Sequence, residues 1–249
     1  FIMTHINRKA LNKNMDTGNI GLDHISNMRH EFFHSMDYDW WDKVRPGDVV
    51  VDVGACIGMF TAHALDLGAS KVYSIEPNRS LLRTAMKNVD DYVINAKQSP
   101  VVPVHAAIMN NKEHINHIYQ PQDAEDFQKL TFKEFIEYYE IEHIDFLKID
   151  CEGGEYDILT KENLEWIQKN VSFIALEIHR AHSDTGAEDF MKFRNEFFKP
   201  YWDEGKVRFQ NHHIKQSIWN DDLIINKQYG NPLPREFMIY FANRPSAHG

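Results

Sequence analysis

The segment Lys148-Ile149-Asp150-Cys151-Glu152-Gly153-Gly154-Glu155 places a lysine, an aspartate and two glutamates within eight residues, at the end of an apolar run that begins at Ile144. Alternation along a strand puts Lys148 and Asp150 on one side and leaves Glu152 and Glu155 in or just after a glycine turn. Glu177 and His179 end a second apolar run that begins at Val171. Strand ends of this kind can carry general bases, and Asp150 and His179 are the candidates, His179 having the ordinary pKa nearer neutrality. Asp150, Glu152 and Glu177 could alternatively hold a divalent cation, for which hard oxygen ligands suit Mg²⁺, although the metal-free reading is preferred. Structural roles stand beside these: Glu152 and Glu155 favour the N-terminus of a following helix, Lys148 pairs with a neighbour, and His179 bonds a backbone carbonyl.

A second group is built around Val50-Val51-Asp52-Val53-Gly54-Ala55-Cys56-Ile57-Gly58, a strand that runs through a glycine turn into a helix. Such a turn aims backbone N–H groups and a helix N-terminus at a ligand. Glu76 follows Gly54 by 22 residues and ends the next strand, where a carboxylate can accept both hydroxyls of an adenosine ribose. Cys56 discriminates between adenosine ligands. In a dinucleotide fingerprint its position is a glycine that lets the backbone approach a pyrophosphate, so a nicotinamide cofactor fits badly. S-adenosylmethionine has no phosphate, and the acidic Asp52 suits its sulfonium and ammonium charges.

These groups need a scaffold that alternates strand and helix. Asp48 to Val53, Lys71 to Ile75, Val101 to His105, Ile144 to Ile149 and Val171 to Ile178 read as buried strands. Ile57 to Leu67, closed by Gly68, and Ser80 to Val89, with Ser80 as N-cap, read as helices. Thr131 caps a helix carrying Phe132, Phe135, Ile136 and Tyr139; a helical stretch holds Ile158, Leu159, Leu164 and Ile167, and another runs on to Phe198. His114 to Tyr119 reads as an extra strand, and Val207 to Gln210 with Glu236 to Phe241 as a closing antiparallel pair without a clear helix between them. An open, mostly parallel, doubly wound α/β sheet with helices on both faces follows. Residues 1–41 form a helical extension and 42–249 the core domain.

The 249 residues carry 27 Lys and Arg against 37 Asp and Glu, a formal charge of −10 that disfavours nucleic acid and anionic membranes as partners. No apolar run is long enough to span a membrane and no signal peptide is visible, so a cytoplasmic protein is expected. The two cysteines, Cys56 and Cys151, fit a reducing compartment; they end the first and fourth strands and are expected near the floor of the cofactor site. Between Glu113 and Lys161 there are 13 acidic and 4 basic side chains, which favours a neutral or cationic acceptor.

On the residues Gly47-Asp48-Val49-Val50-Val51-Asp52-Val53-Gly54-Ala55-Cys56-Ile57-Gly58, Ile75-Glu76-Pro77-Asn78, Ile144 to Glu155 and Glu177-Ile178-His179, the chain resembles the FkbM family of S-adenosylmethionine-dependent methyltransferases, from about Pro46 to His179. The resemblance implies a Rossmann-like, seven-stranded class I methyltransferase sheet with an antiparallel last strand. It implies O-methylation of a hydroxyl on a sugar, a glycan or a secondary metabolite. It also places the methionine part of the cofactor against Asp52, Gly54, Ala55 and Gly58, the ribose on Glu76, and the adenine near Pro77, Asn78 and the Val104-His105-Ala106-Ala107 strand end. No acidic residue is offered there to the adenine amine, so backbone groups or His105 must serve. Asp150 belongs both to the cofactor side and, with His179, Glu152 and Lys148, to the catalytic set. Methyltransferases acting on amino groups commonly carry Asn or Asp followed by two prolines after the fourth strand; Asp150-Cys151-Glu152 favours an oxygen acceptor and keeps carbon open.

Competing patterns remain. His30-Glu31-Phe32-Phe33-His34 matches the H-E-x-x-H zinc hydrolase motif, but both histidines flank the apolar stripe of Leu22, Ile25, Phe32 and Met36, and no third ligand follows at a fitting spacing. The pairs His114/His117, His179/His182 and His212-His213 read as surface residues. Phe33, Tyr38, Trp40 and Trp41 read as packing residues, with an acceptor pocket as the alternative. A non-catalytic S-adenosylmethionine-binding protein and a nicotinamide-dependent oxidoreductase are the alternatives from other classes.

Overall fold

The computed structural model describes residues 43–92, 100–110, 127–179, 186–209, 212–221, 224 and 236–243. The expected N-terminal extension, the His30-Glu31-Phe32-Phe33-His34 motif, Tyr38, Trp40 and Trp41, the strand expected from His114 to Tyr119, His182 and the side chains of His212 and His213 lie outside them.

The Val-rich run forms β1 (Val49–Val53), followed by α1 (Met59–Asp66), β2 (Lys71–Ile75), α2 (Arg79–Tyr92), β3 (Val101–Val104) and β4 (Ala106–Ile108). After β5 (Gln128–Leu130) come α3 (Phe132–Tyr138), β6 (Ile144–Ile149), α4 (Glu155–Ile158), α5 (Lys161–Asn170) and β7 (Val171–His179). The chain continues through α6 (Gly186–Phe193), a π-helical turn (Arg194–Phe198), α7 (Lys199–Asp203), β8 (Val207–Phe209), α8 (His212–Ser217) and β9 (Glu236–Ala242).

Seven strands form one sheet in the order β3-β2-β1-β6-β7-β9-β8, with helices on both sides. β1 with β2, β2 with β3, and β6 with β7 are parallel, with Val51 opposite Tyr73, Ser74 opposite Pro103 and Ile149 opposite Leu176. β9 is antiparallel to β7 (Leu176 opposite Ile239) and to β8 (Arg208 opposite Tyr240). This is the mostly parallel sheet with an antiparallel last strand expected of a class I methyltransferase fold. β4 and β5 form a separate two-stranded sheet.

The chain divides into two compact units, one running to Ala107 and including Gln128, the other holding Ile108 and everything from Lys129 onward. In the first, the strands are sealed by Val50, Val51 and Val72 and the helices by Ala62, Ala64 and Ala85, all fully buried. Small residues on α1 and α2 let the helices approach closely: a Cβ on Gly58, which has φ +81°, would lie 2.9 Å from Ala85 Cα. In the second, Ile144, Leu147, Ile149, Ile174, Leu176 and Ile178 seal β6 and β7. An aromatic core sits beside them. Phe197 stacks on Phe193 and Tyr201, and Tyr201 meets Phe241 edge-on at 4.9 Å between ring centroids.

Element ends follow capping chemistry. Thr131 and Glu134 form the reciprocal capping box that opens α3. The expected Ser80 cap of α2 is displaced by Asn78, whose Oδ1 accepts the N–H groups of Ser80 (2.9 Å) and Leu81 (3.2 Å), so the helix starts at Arg79. The single helical stretch expected between β6 and β7 divides into α4 and α5, because Thr160 adopts an extended conformation (φ −105°, ψ 164°). The short α8 and β5 were not expected, since six and three residues are too few to show a period. No helix among the described residues is long and apolar enough to cross a membrane.

Candidate active site

In the first unit the turn after β1 is bound to the end of β2. Gly54 and Ala55 both donate backbone N–H to the Ile75 carbonyl at 3.0 Å, Gly58 N–H reaches Ala55 O at 2.8 Å, and the Asn88 amide holds Ile57 O from α2. Cys56 takes a left-handed conformation, φ +49°, that presents its N–H to Glu76 Oε2 at 3.0 Å. Glu76 Oε1 accepts the Asn78 N–H at 2.8 Å. One carboxylate thus braces both turns. Asp52 is fully buried and its Oδ2 accepts the Thr61 hydroxyl at 2.7 Å, which itself lies 3.0 Å from Ser74 Oγ. It contributes charge beneath the turn and a hold on α1 rather than a contact face. Gly54 and Cys56 are half-buried, Ala55 and Gly58 buried. His105 Nε2 lies 2.9 Å from the Pro77 carbonyl, which brings Pro77, Asn78 and His105 together, whereas Ala106 is fully buried.

In the second unit β6 and β7 deliver the charged residues. Lys148 is buried and its Nζ lies 3.4 Å from Asp150 Oδ2. Asp150 stands just beyond β6 and keeps 27% of its side chain exposed. His179, the last residue of β7, is buried with Nε2 3.9 Å from Asp150 Oδ1 and 3.7 Å from Glu152 Oε2. Its Nδ1 lies 3.3 Å from Oε1 of Glu155, a carboxylate with no exposed surface. Glu152 turns the chain with φ +54° and Gly153 continues at φ +104°.

Burial by itself would lower the pKa of His179, but the hydrogen-bonding and charge of Glu155, with the charges of Asp150 and Glu177, overcome it and raise the value to about 10. The direction of the shift favours the imidazolium form, in which both ring nitrogens are donors. Burial, then Glu155 and Asp150, push the Cys151 thiol well above its ordinary value, so it stays protonated; it and Cys56 are both thiols.

Among the described residues, Asp150, Glu177 and His179 each offer a ligand atom within 4.8 Å of the others, a set that holds His179 where the sequence had suggested Glu152. Glu155 and Thr61 had no assigned site role in the sequence. The contact between Glu155 and His179 bridges 24 residues, so no local pattern announces it. A glutamate three residues after Glu152, following two glycines, was the one available signal.

A family model described as the methyltransferase FkbM domain matches residues 52–212, more than half of the chain. No curated protein matches the sequence. Among solved structures the chain is similar to methyltransferase FkbM from Methylobacillus flagellatus KT, at 17% identity and TM-score 0.49 over 94% of this chain and 57% of that one. It thus spans little more than half of that protein's length. It is similar to an rRNA methylase from Streptococcus thermophilus (15% identity, TM-score 0.47, 83% of this chain and 93% of that one). It is also similar to precorrin-6y C5,15-methyltransferase from Geobacter metallireducens GS-15 (14%, 0.38, 62% and 67%). At these identities and scores the likeness says nothing of substrate.

Proposed function

The chain belongs to the FkbM methyltransferase domain family, and from that premise we propose that it moves the methyl group of S-adenosylmethionine to a hydroxyl oxygen of a sugar, a glycan or a secondary metabolite. The observation that carries the reading is a partly exposed carboxylate, Asp150, at the end of a central strand between two buried cations, Lys148 and protonated His179.

The residues of the first unit fit the cofactor. Glu76 would hold the ribose hydroxyls, the turn Gly54 to Gly58 the methionine part, and Pro77, Asn78 and His105 the adenine; Asp52 and Glu76 add the negative charge a sulfonium requires and a diphosphate would not tolerate. Bound there, the cofactor supplies an electrophilic methyl group whose leaving group is a neutral thioether. Asp150 takes the proton of the acceptor hydroxyl as the oxygen acquires its new bond. Lys148 at 3.4 Å and His179 at 3.9 Å bias the Asp150 carboxylate electrostatically. The carboxylates of Glu152 and Glu177 add further negative charge, which suits a neutral or cationic acceptor, and a chain of charge −10 is a poor partner for nucleic acid.

The test incubates the full chain with S-adenosylmethionine and panels of hydroxyl-bearing and amine-bearing small molecules and measures release of S-adenosylhomocysteine. Release is expected with hydroxyl acceptors, and Asp150→Asn is expected to cut it by about 100-fold or more while cofactor affinity stays within about twofold. Release with amines alone, or full activity in Asp150→Asn, overturns the proposal. Cofactor binding without release from any acceptor would instead indicate a non-catalytic binding protein.

A further inference from the structure

Glu155 and Asp52 are the two carboxylates with no exposed surface among the described residues, and burying a carboxylate is costly unless it is paired or hydrogen-bonded. Asp52 is bound to Thr61. Glu155, the first residue of α4, reaches two other segments. Its Oε1 accepts the backbone N–H of His179 at 2.6 Å and stands 3.3 Å from the Nδ1 of the same residue. Its Oε2 accepts the N–H of Gly153 at 2.8 Å, within the left-handed pair Glu152-Gly153. The neighbouring Tyr156 hydroxyl donates to the His179 carbonyl at 3.2 Å. The end of β7 is therefore held on both sides of its backbone, its ring lies at ion-pair distance from the same carboxylate, and that carboxylate also holds the turn after β6. Nδ1 stands at ion-pair distance from Glu155, outside hydrogen-bond geometry, and the edge of His179 that faces Asp150 and Glu152 is Nε2.

We infer that Glu155 is a positioning residue, which sets the end of β7 at His179 and the Glu152-Gly153 turn in one frame so that the His179 Nε2 edge faces the Asp150 and Glu152 carboxylates. This rests on the reading of Asp150 as the base. The charged groups that bear on the ring are Glu155 on α4, Asp150 and Glu152 in the turn and Glu177 on β7 itself; Lys148 on β6 pairs with Asp150, and Glu236 of β9 is the register partner of His179. The ring's raised proton affinity agrees with the arrangement.

The experiment uses the ¹⁵N-labelled full chain with S-adenosylhomocysteine added, at about pH 8, above the ordinary imidazole range, and identifies the His179 ring signals by their loss in His179→Gln. Both ring nitrogens of the wild type are expected to be protonated. Glu155→Gln is expected to lower the proton affinity of His179 by about tenfold or more, and Glu155→Asp to recover part of it. On an acceptor found in the release assay, Glu155→Gln is expected to reduce kcat by about tenfold or more with the KM for S-adenosylmethionine within about twofold. An unprotonated Nδ1 in the wild type overturns the inference, and this measurement decides even where the variants fail to fold. A folded Glu155→Gln that keeps both the doubly protonated ring and kcat overturns it too. A protonated ring in a chain that methylates no hydroxyl acceptor overturns the reading of the reaction and leaves the placement of His179 supported.

Discussion

Replacing Glu76 by glutamine probes the cofactor cradle with almost no change of shape. In the native protein Oε2 takes the Cys56 N–H at 3.0 Å and Oε1 takes the Asn78 N–H at 2.8 Å, and the residue is buried. An amide keeps one accepting oxygen and turns an NH₂ group toward the other backbone N–H, two donors face to face. An unsatisfied buried donor costs about 1 to 3 kcal/mol, so the urea midpoint should fall by a corresponding amount. The same amide can no longer accept the second ribose hydroxyl. A hydrogen bond to a charged group contributes about 1.5 to 3 kcal/mol, which translates to about a 10- to 150-fold rise in Kd for S-adenosylhomocysteine. Isothermal titration calorimetry on the wild type and Glu76→Gln reads the affinity, and urea unfolding reads the stability. A Kd within about threefold of wild type, with the stability loss present, would reduce Glu76 to a brace of the two turns and refute its assignment to the ribose.

Three further outcomes are expected. Gly58→Ala must place a Cβ 2.9 Å from Ala85 at φ +81°, so strain and overlap together should destabilise the protein by about 2 to 4 kcal/mol, read by denaturant unfolding. His179 binds its proton more tightly folded, with a pKa of about 10, than unfolded, near 6.5. Its contribution is therefore complete below about pH 6.5 and is lost as pH rises toward about 10, on the order of a few kcal/mol, and His179→Gln should remove that slope from urea midpoints measured across the window. With Asp150 as the base, excess chelator should leave the release of S-adenosylhomocysteine unchanged; loss of activity restored by Mg²⁺ would assign Asp150, Glu177 and His179 to a metal instead.

The parts of the fold set by local chemistry were legible from residue order. Asp48 to Val53 reads as a buried strand because its run is Val-rich, whereas the helix expected from Ile57 opens only at Met59, because Gly58, at φ +81° against Ala85, still belongs to the turn. Thr131 with Glu134 announces α3. The cap of α2 was misassigned because Asn78 and Ser80 both have capping side chains, and the choice depends on where the Glu76 carboxylate pulls the turn. The residues of the fourth-strand motif were visible as a set, but their protonation was not. An isolated histidine titrates near neutrality; His179 does not, because Glu155 and Asp150 reach it across 24 and 29 residues. Burial of Glu155 is likewise a property of the packed α4 and β7, and its spacing suggested only a helix start.

The central claim is that a methyl group passes from S-adenosylmethionine to oxygen. It is tested most directly by incubating the full chain with S-adenosylmethionine labelled with ¹³C at the transferred methyl, together with the hydroxyl and amine acceptors, and following the label by NMR. The account requires a new methoxyl carbon signal that grows with S-adenosylhomocysteine and is lost in Asp150→Asn. Label appearing only as an N-methyl signal, or remaining wholly on sulfur while the cofactor binds, would contradict it.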